Sequence, residues 1–297
     1  MTYSWFYIFL IIVLNEMNWL NKLCLFLRPE IRADQNNYKP YMLSKNRAKF
    51  IISLQKKKTR DEENLFVIEG DKLVKEFLIA NRTIRILAAK PEFINSLPEE
   101  LKSRIEEIES INYEELKQLS TLKTPHNALA VVQKPDPLTN TEEIFDHLAV
   151  LLDCVQDPGN LGTIIRAAAW FGIKTIVCSG DSVDVFNPKV IQSSMGAILH
   201  VNVQYADLKE LLMEAQKRKL PVFGTVPDGE SVYKHKLGPE GLVILGNESK
   251  GISNDLVPYI TDRIFIPGAG SSKPGIESLN VGMAASIIFS EFSRREW

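Results

Sequence analysis

The chain has 297 residues, 45% of them hydrophobic and 24% charged, with a formal net charge of -2. These values fit an ordinary soluble globular protein of about two domains, at roughly 100–200 residues each, and the overall charge by itself says nothing about nucleic acid. Three cysteines (Cys24, Cys154, Cys178) and four scattered histidines (His126, His147, His200, His235) form no C-x-x-C pair and no ligand spacing. No metal is therefore expected, and the thiols read as reduced ones in a cytoplasmic protein.

Residues 1–41 stand apart from the rest. The apolar run "WFYIFLIIVL" (5–14) is about half the roughly 20 residues a membrane span needs, and nothing basic precedes it as an export signal requires. We expect this segment to be an extension outside the fold, with Met42 a candidate start, and expect no membrane association.

From Met42 the pattern becomes that of a folded domain. "MLSKNRAKFIISLQKKKTR" (42–60) carries Lys45, Arg47, Lys49, Lys56, Lys57, Lys58 and Arg60 with no acidic residue. It is either a solvated basic helix or one that neutralises phosphates. Strand 65–70, amphipathic helix 71–80, strand 83–89, an acidic helix near 98–108, helix 112–120 and strand 128–133 then complete a small α/β unit over 42–135. The proline-containing stretch "KPDPLTNT" (134–141) marks a linker, set at 136–147.

The second domain, 148–297, opens with "LAVLLDCV" (148–155), a continuous apolar run suited to a parallel strand buried on both faces. Helix 161–171, strand 174–180, helix 188–199, a short strand "HVNVQY" and helix 207–219 follow. Strands 221–226, 241–248 and 262–268 and a closing helix 279–292 end the domain. This alternation predicts an open, mostly parallel sheet with helices on both faces, whose ligand-binding loops follow the carboxyl ends of the strands.

Three of those loops hold the unusual residues. "QDPGNLG" (156–162) makes a turn in which Asn160 can cap the next helix. Behind it Arg166 is the one charged residue between Thr163 and Ile173, and a cation in a buried helix needs a partner or a purpose. In "LGNESKG" (245–251) an apolar strand runs into Gly246, Asn247 and Glu248, with Glu248 either functional or a cap for the segment near Ser253. In "IPGAGSSKPGIESLNVGMAASIIF" (266–289) Ser278 and Asn280 open a helix of small residues, Ser278 being also a plain N-cap candidate.

Together and in this order, the three loops resemble the motifs of the SpoU group of RNA ribose 2'-O-methyltransferases, of the SPOUT class. The matching residues are Asn160 with Arg166, Gly246 to Gly251, and Ile266-Pro267 with Ser278-Leu279-Asn280-Val281. "FVIEGDKLVKEFL" (66–78) is similar to the start of the family's N-terminal RNA-binding domain, a ribosomal-protein-like fold. The resemblance implies a trefoil knot formed by the C-terminal segment, and S-adenosylmethionine held by Gly224, Thr225, Leu245, Gly246, Ile266 and Leu279. It implies catalysis by Arg166, Asn160, Glu248, Ser278 and Asn280, RNA gripped by Lys45, Arg47, Lys56, Lys57, Lys58 and Arg60, and a homodimer, for which helix 279–292 is an interface or ordinary core. It favours 23S ribosomal RNA over transfer RNA, and the 268–277 loop is longer than in many relatives. A guanidinium with pKa above about 12 is a poor base, so Arg166 is better read as a fork on the phosphate beside the target ribose. The rivals are a non-catalytic RNA-binding assembly factor of the same fold and a nucleotide-dependent enzyme using "GNLG" as a phosphate loop.

Overall fold

The computed structural model describes residues 43–136, 142–268 and 278–294. The expectations for residues 1–41 and for the loop residues 269–277 lie outside the described residues.

The basic segment forms two helices, α1 (Lys45–Ser53) and α2 (Lys57–Glu63), because Ser44 caps the first and the chain turns at 54–56. Four strands follow: β1 (Leu65–Glu69), β2 (Ile84–Ala89), β3 (Ile105–Ser110) and β4 (Ala128–Gln133). Their order in the sheet is β1-β4-β2-β3, antiparallel except for the parallel β2–β3 pair. Helix α3 (Asp71–Ile79) buries Val74, Phe77 and Leu78, and short helices α4 (Pro91–Ser96), α5 (Glu99–Lys102) and α6 (Tyr113–Leu119) connect the later strands.

Strand β3 corrects the acidic helix expected near 98–108. Leu101, Ile105 and Ile108 sit at helical spacing, which is what suggests a helix. Only the first turn is helical, as α5; the remainder lies at the sheet edge with Glu106 and Glu107 exposed. Arg85 on β2 reaches Glu106 at 2.6 Å, and Arg47 of α1 pairs with Glu107. Charges along an edge strand also discourage pairing with another chain.

The second sheet is parallel throughout its described pairs, in the order β10-β8-β9-β5-β6-β7. Its strands are β5 (Leu148–Leu152), β6 (Thr175–Cys178), β7 (Asn202–Tyr205), β8 (Val222–Ser231), β9 (Gly241–Leu245) and β10 (Asp262–Phe265). β5, β6 and β9 are buried along their whole length, as their unbroken apolar sequences require. One face packs helices α7 (Pro158–Trp170), α8 (Pro188–Ser194) and α10 (Val281–Arg294); the other packs α9 (Leu208–Arg218). Ile288 and Phe289 of α10 are core residues at 1% and 0% exposure, whereas Met283 points outward. Ile144 and Phe145, within the expected linker, are also buried against this second unit. From β5 the chain moves to β6 and β7 on one side, while β9, β8 and β10 occupy the other. The switch point, where a crevice forms in such sheets, therefore lies between the carboxyl ends of β5 and β9.

Candidate active site

The loop after β9 is built to present Glu248. Gly246 approaches the facing chain so closely that a Cβ would collide with the backbone of Gly251 and Ile252. Asn247 bridges to Gly251 through both backbone groups, at 3.0 and 2.9 Å, and its Oδ1 accepts the N–H groups of Ser249 and Lys250 at 3.0 Å. Its Nδ2 donates to the Cys154 carbonyl at 2.9 Å, stitching the loops after β9 and β5 across the switch point. Ser253 N–H adds a bond to Asp153 at 2.6 Å.

The cap of α7 differs from the expectation: Asp157, not Asn160, is its N-cap, accepting from Asn160 N–H at 2.8 Å. The Asn160 side chain is thereby released for the site. Its Nδ2 donates to Glu248 Oε1 at 2.7 Å, and its Oδ1 accepts from Asn280 Nδ2 at 2.8 Å. Asn280, and not Ser278, caps α10, with Oδ1 accepting from Gly282 and Met283 N–H at 3.0 and 3.2 Å. The two ends fix every amide orientation: a carboxylate only accepts, and a backbone N–H only donates. The donors therefore run in one direction, from the α10 N-terminus through Asn280 and Asn160 to Glu248, an arrangement in which each bond polarises the next.

Arg166 lies six residues beyond Asn160, about 9 Å along the helix and some 240° around it. It is exposed, not buried, so its place in an apolar helix carries no desolvation cost. Its Nη1 donates to Met195 Sδ at 2.9 Å, and a thioether is a weak acceptor that leaves the guanidinium ready to change partners. Ser278 is exposed and stands outside the asparagine chain.

Among the residues expected to hold the cofactor, Gly224 and Thr225 lie where β8 parts from β9, Leu245, Gly246 and Ile266 at the carboxyl ends of β9 and β10, and Leu279 just before α10. Thr225 Oγ1 donates to the Ile244 carbonyl at 2.9 Å, tying β8 to β9. Opposite β10 the register of β8 jumps from Gly224 to Glu230, so residues 225–229 bulge from the sheet end. Leu245 is buried, Ile266 half-buried against the core and Leu279 48% exposed. The missing side chain of Gly224 makes room for Ile260, while Gly251 and Gly268 face open space. Aliphatic walls with backbone polar groups between them suit a neutral heterocycle. Among the described residues, burial pushes the Cys178 thiol up to about 12, and a hydrogen bond to Asp181 with burial raises that of Cys154, which disfavours the thiolate at both.

On the first unit, Lys45, Lys56, Lys57 and Lys58 are exposed, and Arg47 is half-buried beside Glu107 and Glu109. Arg60 corrects the expectation of an RNA contact. It is 2% exposed and fully engaged inside the protein, so no phosphate reaches it. Among the described residues no helix is long and apolar enough to cross a membrane, and no His, Cys, Asp and Glu group could hold a metal.

A parallel α/β sheet with three hydrogen-bonded loops at its switch point defines a ligand-binding enzyme of the open-sheet class. The chain belongs to the SpoU rRNA Methylase family, whose pattern matches residues 147–290; residues 45–130 match the MRM3-like substrate binding domain. It is 30% identical over 236 residues to the 23S rRNA (guanosine(2553)-2'-O)-methyltransferase RlmP of Bacillus subtilis, covering 79% of this chain and 91% of that protein. A solved TrmH-family protein from Porphyromonas gingivalis, described as an RNA methyltransferase, superposes with a TM-score of 0.74 at 38% identity, covering 86% of this chain and 99% of the other. The SpoU methyltransferase AviRb from Streptomyces viridochromogenes, solved with AdoMet, superposes at 0.72 with 25% identity, covering 85% and 98%.

Proposed function

We propose that this protein transfers the methyl group of S-adenosylmethionine to a ribose 2'-hydroxyl of 23S-type ribosomal RNA, in the cytoplasm. The observation that carries the reading is the Glu248–Asn160–Asn280 chain, one residue from each motif joined at the switch point. Bound there, S-adenosylmethionine supplies an electrophilic methyl on a sulfonium sulfur. Gly224, Thr225, Leu245, Gly246, Ile266 and Leu279 would hold it through backbone groups and aliphatic contacts.

The protein's task is to set the 2'-oxygen, the methyl carbon and the sulfur in line, and positioning of that kind is worth about 7–11 kcal/mol. Arg166 would leave Met195, fork onto the phosphate beside the target ribose and orient the 2'-hydroxyl, whose oxygen would take the methyl as S-adenosylhomocysteine leaves, its proton being relayed through that phosphate to solvent. Asn160, Glu248 and Asn280 hold the loops around the ribose, with Ser278 at their edge. The unit over 42–135 grips the RNA through Lys45, Arg47, Lys56, Lys57 and Lys58 by phosphate contacts; the linker is 136–147 and the methyltransferase domain 148–297.

A homodimer fits this reading. Trp170 (83% exposed), Met195 (65%) and Met283 (58%) are large apolar side chains open to solvent, and Met195 holds Arg166; side chains of this kind are what a partner chain would cover. A knotted C-terminal segment is carried over from membership of the family. Titration calorimetry tests the cofactor: S-adenosylmethionine binds and ATP does not, whereas the reverse preference would return the glycine turn to the role of a phosphate loop.

A further inference from the structure

Segment 184–199 lies between the two units and packs on both: Val185, Val190 and Ala197 belong to the core of the second, and Ile191 to that of the first. At its start Asp184 Oδ2 accepts from Arg60 Nε and Nη2 at 3.0 and 2.5 Å, while Arg60 Nη1 donates to the carbonyls of Leu54 and Gln55 at 2.9 and 2.8 Å. The two side chains are 2% and 9% exposed. Next, the Phe186 ring lies 4.8 Å from that of Phe66 on β1, with the Lys134 ammonium 5.2 Å from its centroid. Ile191 of α8 is buried inside the core that Phe66, Ile68, Val74 and Phe77 make in the first unit, and Ile198 and Leu199 lean on it.

The far end of the segment meets the catalytic arginine. Gly196 (φ +87°) lies against side chains of helix α3, with the Glu76 carboxylate and Leu73 beside it. The residue before it, Met195, holds a left-handed backbone (φ +48°), which a methionine keeps only when its surroundings dictate it. From that position its sulfur receives the Arg166 guanidinium.

We infer that the N-terminal unit sets the posture of Arg166 through segment 184–199, with Arg60 and Asp184 as positioning residues; the inference rests on the methyltransferase reading above. A buried ion pair is a poor source of net stability but an effective geometric key: its directional bonds fix one docking of the two units where apolar packing alone would tolerate several. The N-terminal unit is then more than a handle for RNA, since its docking reaches the reacting centre.

The test uses the full chain with Arg60→Met and, separately, Phe186→Ala, which leaves no unpaired charge and serves if the first variant does not fold. Four quantities are measured: affinity for S-adenosylmethionine by calorimetry, kcat and KM on unmodified ribosomal RNA, and the radius of gyration by X-ray scattering. The expected result is cofactor affinity within about twofold of the unaltered protein, kcat at saturating RNA lower by about tenfold or more, and an expanded scattering profile. A raised KM with kcat unchanged would overturn the inference, since the unit would then only grip RNA. So would cofactor affinity falling in step with kcat, which would mean damage to the catalytic domain. Should the unaltered protein methylate nothing, the functional reading fails, and scattering alone decides the docking: expansion on Arg60→Met supports the ion pair as the key, and an unchanged profile sinks it.

Discussion

Asn160 joins the site because another residue does the capping. The sequence shows Asn160, Glu248 and Asn280 as unusual residues in three loops, but not that Asp157 would take the cap and release the Asn160 amide. Both Asp157 and Asn160 are good capping types, and only the turn geometry decides between them. Asn280→Ala should lower the melting temperature, because a lost N-cap costs about 1 kcal/mol. It should lower methyl transfer by a larger factor than that loss explains, because Asn160 loses the partner that orients it; parallel melting and transfer assays check this. His235 gives a second prediction. Burial opposes its charge, but the Glu230 and Asp262 carboxylates at 2.8 and 2.9 Å outweigh it and raise its pKa above the ordinary value. A raised folded-state pKa contributes stability that is fully present below the unfolded value of about 6.5 and is lost as pH rises through the folded one. The melting temperature should therefore fall across that window, and His235→Gln should flatten the fall.

At the scale of elements, the glycines of the loop after β9 carry the most specific expectation. Gly246→Ala would drive a methyl into the Gly251–Ile252 backbone, which cannot rotate away, and so push the Glu248 turn off the end of the sheet. Cofactor affinity should drop at least about tenfold, as a displacement near 1 Å can cost more than that at a reacting centre; calorimetry on the folded variant reads it. The central strands are legible in the sequence because burial on both faces leaves unbroken apolar runs in β5 and β9. Strand β3 is not, because Leu101, Ile105 and Ile108 satisfy a helical period while pairing with β2 demands an extended chain. The long β8 is shorter in the sequence reading for a similar reason: Pro227 and Gly229 suggest an end where the strand only bulges before resuming beside β10.

The whole molecule depends on contacts that no local pattern reveals. Arg60 looks like one more member of a basic run, and its partner Asp184 is 124 residues away, so a phosphate contact is the natural misreading. Family motifs make the catalytic loops legible, but the packing of segment 184–199 on the first unit involves ordinary apolar residues that any core would contain. The exposed Trp170 carries the dimer prediction: Trp170→Asp should shift sedimentation equilibrium towards monomer, reduce methyl transfer and remove the dependence of the melting temperature on protein concentration, while the chain still folds, since that side chain is 83% exposed in the single chain. The most direct measurement is transfer of labelled methyl from S-adenosylmethionine to unmodified ribosomal RNA, comparing the protein with Arg166→Ala, followed by mapping of the modified ribose. The expected result is one 2'-O-methylated nucleotide in 23S-type RNA, with the variant slower by about 10²–10³-fold at unchanged cofactor affinity. Near-normal transfer by Arg166→Ala, or no transfer by a protein that binds both cofactor and RNA, would contradict it.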